Sequence, residues 1–268
     1  YWDMTEPATD WRAHFLGVGA RGFDAPASPA WVLEQGGAAL LLVDCGPDIP
    51  EAYEAAYGHL PAALFLTHAH YDHIGGLEAL AFHLRFADPP ALPCRLFVPA
   101  PLVPVLQRRV ADYPGTLAEG GANFWDVFHL IPVSAGFWHR ERAFRVFPAR
   151  HHLPDSAFGL SLPGVFWYSS DTRPIPEQAI AHASHGEVLM HDCRIEGNPS
   201  HSGAADLARE YSPEQRARMW LYHYQDAHAA LRLEALGFRV VRPREPILLR
   251  MDEEVPGALR IASTPDSR

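Results

Sequence analysis

A chain of 268 residues, 48% hydrophobic and 20% charged, can bury the core of one large α/β domain. It has no run of about 18 apolar residues, which excludes a membrane-spanning helix, and its net charge of −10 argues against a scaffold for nucleic acid. All 22 basic residues are arginine, so lysine-based Schiff-base and Walker-type chemistry are excluded as well.

Residues 1–11 are polar and read as a lead-in or an appended remnant, ahead of a single domain over residues 12–252 and a polar tail over 253–268. No basic-then-apolar leader opens the chain, although it begins at Tyr1 rather than Met. Cys45, Cys94 and Cys193 are too widely spaced for a disulfide framework or a zinc knuckle, which makes a reducing cytoplasm the expected location. Arg12–Gly19 reads as a first strand ending in a glycine-rich turn. Gly17, Gly19 and Gly22 have dinucleotide-loop spacing, but the following Phe23–Pro29 stretch has no helical pattern, and that reading is rejected. Residues 30–34 and 38–43 form a hairpin around Gln35-Gly36-Gly37, and the second strand runs into Asp44-Cys45-Gly46. A carboxylate at the end of so apolar a strand needs a partner.

The next apolar run, Ala62–Leu66, reads as a buried strand, and Leu77–Leu84 has apolar residues at helical spacing. Between them lies Thr67-His68-Ala69-His70-Tyr71-Asp72-His73. In extended backbone His68 and His70 point to one side, and Asp72 and His73 follow where the loop turns into the helix. Four ligand-type side chains converge from six residues, more than one metal ion can easily use. Imidazole and carboxylate together suit zinc, manganese or iron.

Residues 86–145 are proline-rich, with a strand at Arg95–Val98 and a helix over about 102–111. The aromatic residues of Asn123–Phe128 and Phe137-Trp138 could wall a pocket or a homodimer contact, and core packing is the favoured reading. A strand over 143–147 then delivers His151 and His152, which as neighbours face opposite ways, so at most one is a ligand. Val165–Ser169 is a strand leading to Ser170-Asp171-Thr172, and Glu187–Met190 one leading to His191-Asp192-Cys193. Pro199-Ser200-His201-Ser202 reads as the N-cap of a helix over 204–211. Arg218–Tyr222 is a buried strand with His223 at its end, a helix covers about 227–236, and one closing strand is expected over 240–249.

His-x-His-x-Asp-His after a buried strand resembles the signature of the metallo-β-lactamase superfamily, and the later motifs follow in that family's order over residues 12–250. His151-x-Leu153-Pro154, Ser170-Asp171-Thr172 and His201-Ser202 before His223 are similar to RNase Z and the small phosphodiesterases. The resemblance implies a four-layer αββα sandwich of α/β class with two divalent metals, zinc foremost and manganese or iron also matching. One metal would take His68, His70 and His151, the other Asp72, His73 and His223, with Asp171 shared and Asp44 orienting the metal loop from behind.

On that likeness, the expected reaction is hydrolysis of a small or cyclic phosphodiester by a metal-bridging hydroxide that Asp72 orients. His201, outside the ligand set, is the candidate general acid, imidazole being the side chain that exchanges protons near neutrality, and Asp192 would support it. Arg150, Arg173 and Arg194 adjoin motifs and could hold a phosphate. The alternative is a carbon-ester hydrolase (lactone, thioester or β-lactam), which would use the same metals without needing His201.

Overall fold

A computed structural model of the protein describes residues 10–25, 27–112, 118 and 120–251. Two seven-stranded sheets make the fold. The first contains β1 (Asp10–Gly17), β2 (Ala30–Gln35), β3 (Ala38–Val43), β4 (Ala63–Phe65), β5 (Cys94–Pro99), β6 (Phe128–Val133) and, at the edge beside β1, β14 (Ile247–Met251). The second runs from β7 (Gly136–His139) through β8 (Arg142–Pro148), β9 (Phe158–Leu162), β10 (Phe166–Tyr168), β11 (Val188–Asp192) and β12 (Met219–Tyr222) to β13 (Arg239–Val240).

The sheets meet through aromatic side chains, because their facing strands carry the bulkiest residues. Trp31 on β2 sits edge-on to Phe166 on β10 at 5.1 Å, Phe15 lies 5.6 Å from Tyr222, and Phe97 stacks on Phe137 at 4.1 Å. This is the αββα sandwich expected from the motifs. Phe124, Phe128 and Phe137 are buried as core, whereas Trp138 is 69% exposed.

β3, β4, β5 and β6 are parallel, as are β10, β11, β12 and β13. Parallel neighbours require crossovers. In the first sheet these contain α1 (Ile49–Tyr57), then α2 (Tyr71–Ile74) with α3 (Leu77–Arg85), then α4 (Val103–Leu106). In the second they contain α5 (Pro176–His182), then α6 (Ala204–Glu210) with α7 (Pro213–Ala217), then α8 (Ala227–Ala235). The consequence for function is directional. Parallel strands bring their carboxyl ends to one edge, and the residues just past those ends line a common crevice.

Three local expectations change. β1 starts at Asp10 with Trp11 fully buried, so the strand takes in two residues of the expected lead-in; residues 1–9 and 253–268 lie outside the described residues. The single closing strand over 240–249 is two strands in different sheets, β13 and β14, because Pro243 and Pro246 remove ladder donors and Arg244 turns with φ 64°. The N-cap of α6 is Gly203, whose N–H donates to Asp206 Oδ2 at 2.9 Å, and not the Ser200–Ser202 stretch. That frees His201 from a capping role.

Candidate metal centre

The residues past six strand ends meet at this edge. Asp44 follows β3, the His68–His73 loop follows β4, His151 follows β8, Asp171 follows β10, Asp192 ends β11 and His223 follows β12. Asp171 occupies the middle. Its Oδ2 lies 3.0 Å from His223 Nε2, 3.4 Å from His73 Nε2, 3.8 Å from His68 Nε2 and 3.9 Å from His151 Nε2. Burial alone would raise its carboxyl, but His223 and His73 outweigh that and hold it well below the ordinary carboxylate range.

The ring tautomers follow from what lies behind each imidazole. His151 Nδ1 faces the Ser200 carbonyl at 2.9 Å and must donate, so Nε2 carries a lone pair. Thr67 Oγ1 donates to Asp44 Oδ2 at 2.7 Å and therefore accepts from His68 Nδ1 at 3.0 Å. His73 Nδ1 donates to the same Asp44 oxygen at 2.8 Å, and the Thr67 backbone N–H donates to Asp44 Oδ1. Asp44 thus presets the rings of two histidines, directly for His73 and through Thr67 for His68.

Two of the lone pairs so oriented meet at a third ring. His68 Nε2 and His151 Nε2 stand 3.2 and 3.1 Å from His70 Nδ1. Around Asp171, the buried atoms His73 Nε2, His223 Nε2 and Asp171 Oδ1 have no hydrogen-bond partner among the described residues. Such crowding of acceptors fits a cation. Among the described residues the donors group as His68, His70 and His151 on one side and Asp72, His73 and His223 on the other, each set within 4.8 Å; Asp171 also groups with His68 and His73, and His201 with His151 and Asp171 and with Asp192 and His223.

Holding these groups together requires unusual backbone. Asp44, Ser170 and His223 all have positive φ, at 64°, 59° and 63°, a conformation non-glycine residues adopt at a cost of order 1–2 kcal/mol. Ser170, where the resembled family has glycine, reaches the needed turn regardless. Gly19 was legible only as a turn residue. Its φ is +77°, and a Cβ there would lie 2.9 Å from His223 Nδ1. We expect Gly19→Ala to cost at least about 1 kcal/mol of stability and to displace His223, lowering metal content; wild-type melting temperature and metal stoichiometry would show otherwise.

His201 lies on the open side, with its ring 5.0 Å from those of His151 and His223. Its Nδ1 donates to Asp192 Oδ2 at 2.7 Å, and the Thr172 N–H donates to the same oxygen at 2.9 Å. Burial pushes the Asp192 carboxyl up. His201 Nε2 is left as the nitrogen able to meet a substrate. Of the three arginines, Arg150 is held by Glu177 at 2.9 Å and the Pro174 carbonyl, Arg173 donates weakly to the Arg150 carbonyl, and Arg194 is fixed through its backbone, its N–H donating to the Ser202 carbonyl. Thr67, Gly19 and the Ser200 carbonyl are the supporting parts that residue spacing could not reveal.

With this geometry in hand, comparison with known proteins is informative. Residues 12–245 match the family described as anti-Pycsar protein Apyc1. The chain belongs to the Apyc1 family. An anti-Pycsar protein Apyc1 of Bacillus phage 010DV004 is 31% identical over 202 residues, covering 69% of this chain and 78% of its own. Among solved structures, the metallo-β-lactamase-fold protein YhfI from Bacillus subtilis superposes with a TM-score of 0.68 at 15% identity, covering 89% of this chain and 99% of that one. A diphosphatase of the PhnP family gives 0.66 at 18% identity (91% and 98% covered), and human tRNase Z, short form, 0.60 at 17% (89% and 99%). The chain thus has the metallo-β-lactamase fold, which it shares with RNase Z-like and PhnP-family structures, and is a member of the Apyc1 family.

Metal uptake should depend on pH in a definite direction. Although burial alone would lower it, in the metal-free protein Asp171 and Asp44 raise His73 to about 10, whereas burial lowers His151 to about 4. At neutral pH His73 then carries a proton that a metal must displace, and His151 does not. Affinity for zinc should rise as pH climbs from 6 toward 10, with proton release on binding. Calorimetry at pH 7 in two buffers of different ionisation enthalpy measures this; equal heats in both would refute it.

Proposed function

We propose that this protein is a dinuclear, zinc-loaded phosphodiesterase that opens cyclic nucleotides, the class of signal that the Apyc1 family degrades. The observation that carries the reading is the placement of Asp171 Oδ2 within 3.9 Å of four imidazole Nε2 atoms, beside the outlying His201–Asp192 pair. His68, His70 and His151 would hold one ion, Asp72, His73 and His223 the other, and Asp171 both. When bound, the ions supply an activated water and neutralise charge on the phosphoryl group, which lets a chain of net charge −10 accept an anion.

The chain's own residues do the rest. Asp72, whose side chain is 45% exposed, faces the opening and orients the water. Water, giving up one proton to solvent, adds at phosphorus, and one P–O bond to ribose breaks. The departing alkoxide takes a proton from His201 Nε2, yielding a linear phosphate monoester. Asp192 accepts the Nδ1–H of His201 and balances the imidazolium from which that proton leaves. The substrate is a small molecule, and no helix among the described residues is long and apolar enough to cross a membrane.

Protein stripped with chelator and refilled with zinc or manganese would be assayed on 3′,5′-cyclic nucleotides and bis(p-nitrophenyl) phosphate, with p-nitrophenyl acetate and a lactone alongside. Metal-dependent cleavage of the diesters is the expected result. Ester or lactone turnover without diester cleavage would replace this reading with the carbon-ester one.

A further inference from the structure

Ser200 and His201 belong to a loop, residues 194–203, that begins and ends at one point. Arg194 and Gly203 pair side by side, with the Arg194 N–H donating to the Ser202 carbonyl at 2.8 Å and the Ala204 N–H to the Arg194 carbonyl at 3.0 Å. Gly197 crosses the same neck, where a Cβ on it would lie 2.8 Å from the Gly203 nitrogen. A surface loop closed only at its base is mobile unless its own groups hold its interior. The site takes two groups from this loop. One is the Ser200 carbonyl, which accepts from His151 Nδ1 at 2.9 Å, and the other is the His201 ring, held to Asp192.

One side chain ties both residues. Asn198 Oδ1 accepts the N–H of Ser200 at 2.8 Å and that of His201 at 2.9 Å, and the Asn198 N–H donates to the His201 carbonyl at 3.0 Å. Asparagine commonly builds a turn through one bond to the N–H two residues on. Here its oxygen takes a further N–H, and the backbone of His201 is bonded at both its N–H and its carbonyl. Pro199, standing between, has no N–H to compete for that oxygen. Beyond His201, Ser202 gives its N–H and its hydroxyl to the Thr172 carbonyl, each at 2.9 Å. The Thr172 N–H in turn meets the Asp192 oxygen that His201 Nδ1 also meets. The backbone after His201 is thus tied to the residue that follows Asp171, and the backbone at His201 itself to Asn198.

We propose that Asn198 is a positioning residue for proton transfer, fixing the His201 backbone so that Nε2 stands at the leaving ribose oxygen. The assignment rests on the phosphodiesterase reading above. Asn198 acts on the donor's backbone and has no part in the reacting atoms. Its effect therefore scales with how much the leaving group needs a proton. A ribose alkoxide needs one, and p-nitrophenolate hardly does.

The test compares adenosine 3′,5′-cyclic monophosphate with bis(p-nitrophenyl) phosphate on zinc-loaded wild type, Asn198→Ala and Asn198→Asp, with bound metal, melting temperature and amide hydrogen exchange measured alongside. Asn198 is exposed, so neither substitution opens a cavity in the core. Misplacing a catalytic group by about 1 Å can cost on the order of 10²-fold, and Asn198→Ala should lower kcat on the cyclic nucleotide by roughly tenfold or more. KM and bound metal should stay near wild type, and bis(p-nitrophenyl) phosphate should be affected far less. Exchange over residues 194–203 should quicken in Asn198→Ala. Asn198→Asp keeps the accepting oxygen and should restore both the cyclic-nucleotide rate and the slow exchange. Equal losses on the two substrates, a fall in bound metal, an unchanged Asn198→Ala or an Asn198→Asp that restores nothing would each overturn the assignment and leave the phosphodiesterase reading standing. If the zinc-loaded wild type cleaves neither diester, both readings fall together.

Discussion

Replacing His201 by alanine is expected to lower kcat on a cyclic nucleotide by about 10²–10⁴-fold while leaving metal content unchanged. The two halves of that result come from separate observations. His201 Nδ1 is committed to Asp192 at 2.7 Å, and its ring lies 5.0 Å from those of His151 and His223. The proposed ligand sets leave it out, although it also groups with His151 and Asp171 and with Asp192 and His223, so unchanged metal content in the variant is the decisive half of the test. What is lost is the proton for the ribose alkoxide. A p-nitrophenolate leaving group needs little protonation, so bis(p-nitrophenyl) phosphate should be affected much less than a cyclic nucleotide. Asp192→Asn should act in the same direction, because an amide cannot balance the imidazolium. Equal losses on both substrates, or a fall in bound metal, would mean that His201 holds structure rather than a proton.

Asp171→Asn should empty the centre. The substitution keeps shape and removes the one charge that four histidine nitrogens surround at 3.0–3.9 Å. Partners that only orient ligands, such as Asp44, carry roughly 10–100-fold in metal affinity, so a shared ligand should carry more. Hydrolysis should fall to the metal-free level. Removing one member of a buried charged cluster also costs about 3–5 kcal/mol, since Asp171 is 1% exposed and its neighbours cannot turn to solvent. Metal analysis, melting temperature and a far-ultraviolet spectrum separate loss of metal from loss of fold. A variant that keeps both metals and its activity would show that Asp171 is not shared between ions.

The groups of the candidate site were legible in the sequence because they stand out as residue types at short spacing. His68, His70, Asp72 and His73 fall within six residues, and Asp171, Asp192 and His223 each stand at the end of an apolar strand. A strand buried on both faces announces itself by composition, and polar side chains at its carboxyl end are conspicuous there. The sandwich was what the family resemblance carried by those motifs implied.

What depends on distance in three dimensions was decided by the tertiary structure. No spacing rule places Asp171 among histidines that come from three other loops, or joins Asp44 to His68 through the Thr67 hydroxyl. Gly19 looked like a turn residue until its backbone was found against the His223 ring. His201 stood in a stretch with capping character. The choice between cap and site went to Gly203 as the cap, since the Asp206 carboxylate already takes that N–H, leaving His201 to face Asp192. The last strand read as continuous because its residues are apolar on either side of Pro243 and Pro246, and only packing against two different sheets separates them. Residue types and local spacing determine which groups are available. Their hydrogen-bond partners and the direction of each lone pair are set by contacts between segments far apart in the chain, on which local sequence carries almost no signal.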